Sequence, residues 1–312
     1  MIKERVAGYS KSDFETIHKD AKQRFEELKA SWLDKLLWTT PARARHLLGT
    51  DREKINGYPI FDGTHILAQR SNVAGFLEGN TSPSRPWIRY IHPDKDRNRF
   101  APNREFLDRV TNRALGHLSN SNFYFEAGQF YYDFSVVDTG CHIIKRRGNS
   151  VHFYTLQPGS YFILNNAFGE VEMLIREFCL NPKQLTNRYG KKKDGNYDWS
   201  MFSQKVKDLY ERSNTTAKIE CVEIYTRNKD YNPSIPLGGS NRQWTSVVYE
   251  TGVFAGAGFN NQNYEPNDVK DPKYLEINYY RRRPFVVGKA QGELYGEKGP
   301  TTDAIGLIRS LN

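Results

Sequence analysis

The spacing of apolar residues changes near residue 140, and that change limits the folds open to this chain. Before it, apolar side chains recur at intervals of three and four. Phe14, Ile17, Ala21, Phe25, Leu28, Trp32 and Leu36 form one such stripe, the pattern of a helix with a single buried face. Ser12 and Glu15 have capping-box spacing at its start, and Thr39–Thr40–Pro41 stops it. A second helix is expected from Gly63–Thr64 to Gly79–Asn80, and a third over about 103–118. A fourth, heavily aromatic, is expected over about 122–138, ending at Thr139–Gly140. Beyond it, residues 151–156, 161–164 and 171–178 read as strands parted by Pro158–Gly159 and Asn165–Gly169. The third of these alternates imperfectly. A short helix opens at Asn181–Pro182 and closes at Tyr189–Gly190, and another is expected over 198–212. Residues 219–225, 243–250 and 274–280 are further strand candidates, with projecting loops at 232–239 and 252–258. A last helix restarts at Thr301–Thr302–Asp303. Helices followed by strands predict an α+β fold.

At 312 residues the chain is long enough for one large domain or two ordinary ones. Its 19 Tyr and 18 Phe need a packed interior, which argues against disorder. No apolar run approaches the roughly 18–20 residues of a membrane span. The opening MIKERVAGYS holds no signal-peptide segment, so synthesis in a cytoplasm and no membrane partner are expected. Cys141, Cys179 and Cys221 show no CxxC spacing; three free thiols are expected rather than a zinc ribbon or a disulfide framework.

Signatures of chemistry are sparse. Gly292–Gly299 resembles a phosphate loop only superficially, because its glycine spacing is wrong and Glu297 precedes the lysine. Asp94 and Asp96 hint at a nuclease carboxylate pair, but no Asp/Glu-x-Lys partner follows, and a solvated loop is expected there. His46, His65, His92 and His142 lack ligand spacing, and neither HExxH nor GxSxG occurs. The expectation is no catalytic residue, no metal and no cofactor. Basic runs stand out instead against a net charge of +9: Lys145, Arg146 and Arg147; Lys191, Lys192 and Lys193, close to Arg188; and Arg281, Arg282 and Arg283. They are candidates for contacting DNA or another polyanionic partner. No recognition helix is evident, so sequence-specific reading of bases is not expected.

Several stretches, taken in order, resemble one family. Asn72–Trp87 contains a small-residue helix, then Thr81, Ser82, Pro83, Ser84, Arg85, Pro86 and Trp87. It is followed by Asp138–Thr139–Gly140–Cys141, then Phe153–Phe162 with Pro158 and Gly159, then Gly169–Val171, Arg176–Phe178 and Tyr189–Gly190. Arg283–Val287, Gly292–Gly296 and Gly299–Pro300 close the series. This colinear set resembles the head-to-tail connecting (portal) proteins of short-tailed bacteriophages, over about residues 60–312. Glu297 and Lys298 lengthen a turn that is tighter in the family. Members continue beyond the helix that starts after Gly299–Pro300, so the resemblance implies a chain that stops within its second stem helix.

The resemblance further implies a portal fold. It would comprise a helical and β wing over 1–190, a first stem-like helix over 191–214, a strand-rich clip over 215–283 and a return segment over 284–312. It implies a dodecameric ring at one capsid vertex of the virion, passing double-stranded DNA. The implied partners are the major capsid protein, the large terminase subunit, then the tail adaptor or tube, and internal core or scaffolding proteins. Two readings compete with it: a virion protein that coats DNA through Lys191–Lys193 and Arg281–Arg283, and a metal-dependent nuclease using Asp94 and Asp96.

Overall fold

Strand pairing organises the chain into two units, each built on its own antiparallel sheet. The computed structural model describes residues 5–48, 60–190, 192–193, 196–236, 238–254, 274–289, 295–296 and 299–311. Expectations for Lys191, for 255–258, for 292–294 and for Glu297, Lys298 and Asn312 lie outside these residues. The helices are α1 (Lys11–Thr39), α2 (Arg45–Leu48), α3 (Thr64–Thr81), α4 (Lys95–Arg99), α5 (Ala101–Ser119), α6 (Phe123–Val137), α7 (Pro182–Tyr189), α8 (Gln204–Glu211) and α9 (Pro300–Leu311). The strands are β1 (Thr139–Arg147), β2 (Ser150–Thr155), β3 (Tyr161–Asn165), β4 (Val171–Leu180), β5 (Lys192–Lys193), β6 (Asn196–Tyr197), β7 (Lys218–Arg227), β8 (Trp244–Phe254), β9 (Glu276–Tyr280) and β10 (Phe285–Lys289). The α+β class follows directly from this order.

One unit takes residues 1–33, 42–57 and 158–283. Its sheet runs β3-β4-β7-β8-β9, antiparallel throughout. Met173, Ile175, Val222, Ile224, Val247 and Tyr249 fill one face, closed by Phe14 and Ala21 of α1 and by Phe162. The opposite face packs Ile219, Cys221 and Val248 against Leu185 and Tyr189 of α7, Phe202 just before α8 and Val206 within α8. A sheet covered on both faces has no solvent face to alternate with. That explains the imperfect alternation over 171–178.

The structure differs from two local expectations. The cap of α1 is Ser10 with Asp13, not Ser12 with Glu15: the Asp13 N–H donates to Ser10 Oγ, and the Ser10 N–H to Asp13 Oδ2. The preceding turn, left-handed at Ala7 and Gly8, delivers Ser10 to the capping position. The single helix expected over 198–212 is a 3-10 turn, Trp199–Met201, followed by α8. Asp198 caps the first piece and Ser203 the second, while the extended Phe202 between them turns into the core.

The other unit takes residues 34–41, 58–157 and 284–312. Its sheet is β10-β1-β2, with α6 packed on β1 and β2 and with α3, α5 and α9 against α6. Apolar periodicity does not show β1, which Lys145, Arg146 and Arg147 end. Gly140 and Gly288 face each other across β1 and β10, and the Phe130 ring of α6 sits over both. A Cβ at Gly140 would lie 2.8 Å from that ring and 2.9 Å from the Phe130 carbonyl. Gly140 is therefore a packing requirement, not the helix breaker it resembles in sequence.

The chain passes between the two units after residues 33, 41, 57, 157 and 283. Gly140→Ala should destabilise the protein by about 2 kcal/mol, through forced movement of Phe130. In Gly128→Ala, mid-helix with open space around the new Cβ, the change should be a gain of about 0.5–1 kcal/mol. Urea unfolding of the two variants measures both.

Candidate functional site

The residues of the Asn72–Trp87 stretch line up along α6. Near the C-terminal end of α6, Asn72 Nδ2 donates to Ser135 Oγ at 2.9 Å. One helical step on, Phe76 stacks on Tyr131 at 5.8 Å and meets Phe134 edge-on. Thr81 then donates to the Tyr131 hydroxyl at 3.3 Å. Trp87 reaches the N-terminal end, stacked on Phe123 at 5.6 Å with its indole N–H on the Tyr124 hydroxyl. Ser82 is buried and shares its hydroxyl with Glu78 and Ser84, while Arg85 donates to the Glu78 carbonyl. Pro83 and Pro86 are exposed and hold the exit from α3 extended. The stretch is thus a strap fastened to one aromatic helix.

At the other end of α6, sequence elements far apart meet in a buried polar knot. Asp138 ends α6 in the left-handed region (φ 62°), which a short polar side chain tolerates, and the chain turns straight into β1. Its carboxylate is buried, so it needs a counter-charge. Lys35 supplies one from the last turns of α1: Nζ lies 2.7 Å from Asp138 Oδ2 and 3.3 Å from the Gly296 carbonyl, with Lys35 itself only 3% exposed. Thr302 donates to the same Oδ2 at 2.6 Å, and Thr301 donates to the Ser135 carbonyl at 2.7 Å. Gly299 lies so close to the Asp138 carboxylate that a side chain at 299 would collide with it. Pro300 then starts α9, and Gly296, at φ 74°, turns the chain toward the knot. Arg309, further along α9, pairs with Asp34.

Lys35 was missed by sequence reasoning, which counted only apolar members of the α1 stripe. The signal was present: Lys35 follows Leu28 and Trp32 at helical spacing, on the buried side. His142, next along β1, stacks on Phe130 at 4.6 Å, and its Nδ1 shares a hydrogen bond of 3.1 Å with the Thr155 hydroxyl. Burial pushes its pKa down to about 4, against a weaker pull from Glu126.

The basic runs fall in different places. Arg146 and Arg147 are exposed at the end of β1, with Arg146 bonded to the Gly148 carbonyl. Arg281, Arg282 and Arg283 are exposed after β9 and belong to the other unit. Lys192 and Lys193 form β5. Asp94 is not in a bare solvated loop: its side chain accepts from Asp96 N and caps α4, and Asp94 and Asp96 pair with Arg97 and Arg99. Among the described residues, no His, Cys, Asp and Glu side chains group as a metal site, and no helix is long and apolar enough to cross a membrane. Pro158–Gly159 forms a turn with Gly159 at φ 85° against Leu47, within the larger-sheet unit.

Strap and knot belong to an α+β chain in which these motif residues fix backbone directions. The sequence profile of the bacteriophage head to tail connecting protein family matches residues 11–312. The chain belongs to that family. It is 25% identical to the "Portal protein" of Salmonella phage epsilon15 over 286 residues, 91% of this chain and 47% of that one. It is 26% identical to the "Probable portal protein" of Bordetella phage BPP-1 over 253 residues, 81% of this chain and 41% of that one. The chain thus spans about half the length of these relatives.

Breaking either half of the knot should cost about 3–5 kcal/mol, because the remaining charge stays buried without its partner. Lys35→Met and Asp138→Asn should each show this loss, and the double variant should lose less than their sum by at least about 1 kcal/mol. Denaturant midpoints of all four proteins give the coupling. His142 is neutral when folded, whereas the unfolded chain takes up a proton near pH 6.5. Its contribution is therefore present above pH 6.5 and lost as pH falls toward 4, by about 2 kcal/mol between pH 7 and pH 5. In His142→Gln that part of the acid sensitivity should vanish from urea unfolding measured across this range.

Proposed function

We propose that the chain is a subunit of a phage portal, a ring at one capsid vertex through which double-stranded DNA is packaged and ejected. The observation that carries the reading is the colinear family match over residues 11–312, together with two relatives described as portal proteins. The ring is a dodecamer closed by a heterologous interface, each subunit offering one patch to a different patch on its neighbour. The major capsid protein surrounds it. The large terminase subunit docks during packaging, the tail adaptor or tube afterwards, and internal core or scaffolding proteins attach inside. In this reading, 1–190 is wing, 191–214 a first stem segment, 215–283 clip and 284–312 the return toward a second stem helix. The knot at Asp138 supports it physically, since it fixes the direction in which α9 leaves the body of its unit.

The work of such a ring is geometric rather than catalytic. A conduit has to release DNA at every step. Neutralising even six phosphates would impose a salt slope of about 5 and hold the duplex in place. The exposed arginines at 146, 147 and 281–283 therefore serve rims and partner contacts, not a lining that grips.

The product of the whole gene, purified, should sediment as a closed ring visible in negative stain. It should also bind a 30-base-pair duplex no tighter than about 10⁻⁵ M at physiological salt. A protein that stays monomeric and retains DNA in proportion to its length, with steep salt dependence, would be a DNA-coating protein instead. Duplex cleavage abolished by Asp94→Ala would replace the reading with a nuclease.

A further inference from the structure

The five-stranded sheet carries, at one of its ends, two tightly fastened loops that bury little and expose apolar tips. Strand register fixes their proximity: Met173 pairs with Thr226, Arg227 with Trp244, and Trp244 with Tyr280. The β3–β4 turn, the β7–β8 loop and the chain leaving β9 therefore share that end.

Each loop is held by asparagine side chains acting as internal braces. In the β3–β4 turn, Asn166 Oδ1 accepts the N–H groups of Phe168 and Glu170 at 2.9 and 3.0 Å, and Gly169 is left-handed at φ 74°. In the β7–β8 loop, Asn228 Nδ2 donates to the Ser240 and Arg242 carbonyls, both at 2.9 Å. Asn241 Nδ2 reaches the Asn232 and Ile235 carbonyls at 3.0 Å, while its Oδ1 accepts the Asn232 N–H. Arg227 ties one loop to the other through Glu170 at 3.1 Å, and Arg242 ties the second to the Tyr279 carbonyl at 3.0 Å.

What this bracing presents is Phe168, 90% exposed, and Ile235, 54% exposed between Pro233 and Pro236. Neither side chain belongs to either hydrophobic cluster of the unit. Fixing a loop lowers the entropy lost on association, and a rigid aromatic beside arginines is the composition of a binding hot spot. Arg227, Arg242, Arg281 and Arg282 are exposed around the tips, against Glu170 and Asp230.

We propose that this sheet end is a docking surface for a different protein, one offering apolar pockets for Phe168 and Ile235 inside an acidic rim. The local balance, Arg227, Arg242, Arg281 and Arg282 against Glu170 and Asp230, selects an acidic partner surface. Glu170 stands two residues from Phe168 and Asp230 lies in the second loop, where both would repel the phosphates flanking any inserted side chain. A protein surface can place a hydrogen-bond donor against each of those carboxylates within its acidic rim, whereas the phosphates of a duplex only accept. This docking surface is independent of the portal function, and either can fail while the other stands.

The test is site-specific photo-crosslinking in infected cells that make the whole gene product. A benzophenone amino acid replaces Phe168 in one strain and Ile235 in another. Both positions should yield an adduct with one protein other than this chain, mapped by mass spectrometry to a segment flanked by Asp and Glu. Arg281→Glu with Arg282→Glu, which removes no core contact, should lower the adduct yield about tenfold, equivalent to about 1.4 kcal/mol. Adducts with DNA, adducts with another copy of this chain, no adduct, or a yield indifferent to the charge reversal would each overturn the proposal.

Discussion

A single buried ion pair, Lys35 with Asp138, governs how the smaller-sheet unit is put together. Its members are 103 residues apart in sequence, and each alone would be costly to bury. Neighbouring polar groups make the burial tolerable: the Thr302 hydroxyl and the Lys35 ammonium share one carboxylate oxygen, and the Gly296 carbonyl takes up more of the ammonium. Asp138 also turns the chain from α6 into β1, so the charge that needs a partner is the residue that sets the direction of the strand. Because β1 pairs with β10 and Thr301 hangs from the Ser135 carbonyl, α9 begins where this arrangement puts it. A hydrophobic substitute would pack without imposing that directionality.

The larger-sheet unit rests on a similar economy of charge at one place. Glu177 of β4 is largely buried, which by itself would raise its pKa. Hydrogen bonds from His18 and Lys22 of α1, with the Lys22 charge, outweigh that effect and hold the carboxylate ionised. Helix and sheet are thereby joined by polar contacts at the margin of an interface that is otherwise Phe14, Ile17, Ala21 and Phe25 on strand side chains. Buried thiols take no part: burial pushes Cys179 up to about 11 and raises Cys221 well above the usual thiol range.

Much of this was legible in the sequence, and the failures have physical causes. The stripe of α1 could be read because Phe14, Ala21, Trp32 and Leu36 bury one face of that helix, whereas in α3 and α5 the spacing is helical although Leu67 and Phe106 are exposed. β1 and β10 could not be read, since their glycines answer to the Phe130 ring rather than to a turn. The split of the 198–212 segment depends on Asp198 and Ser203 each capping its own piece, which helical spacing alone does not reveal. The strap from Asn72 to Trp87 was visible as a motif, but its partners on α6 were not. Lys35 was hidden for the plainest reason: a charged residue in an apolar stripe reads as an interruption until the carboxylate it meets is known.

The proposed portal function treats residues 72–87 and 138–140 and the start of α9 as framework for a ring. Reconstruction of the particle without imposed symmetry, at a resolution that traces side chains, tests it most directly. The account predicts density for this chain in a closed ring around the DNA entrance at a single vertex, with Lys35 against Asp138 at the root of α9. Finding the chain spread over the capsid shell, or coating the packaged genome, would contradict it.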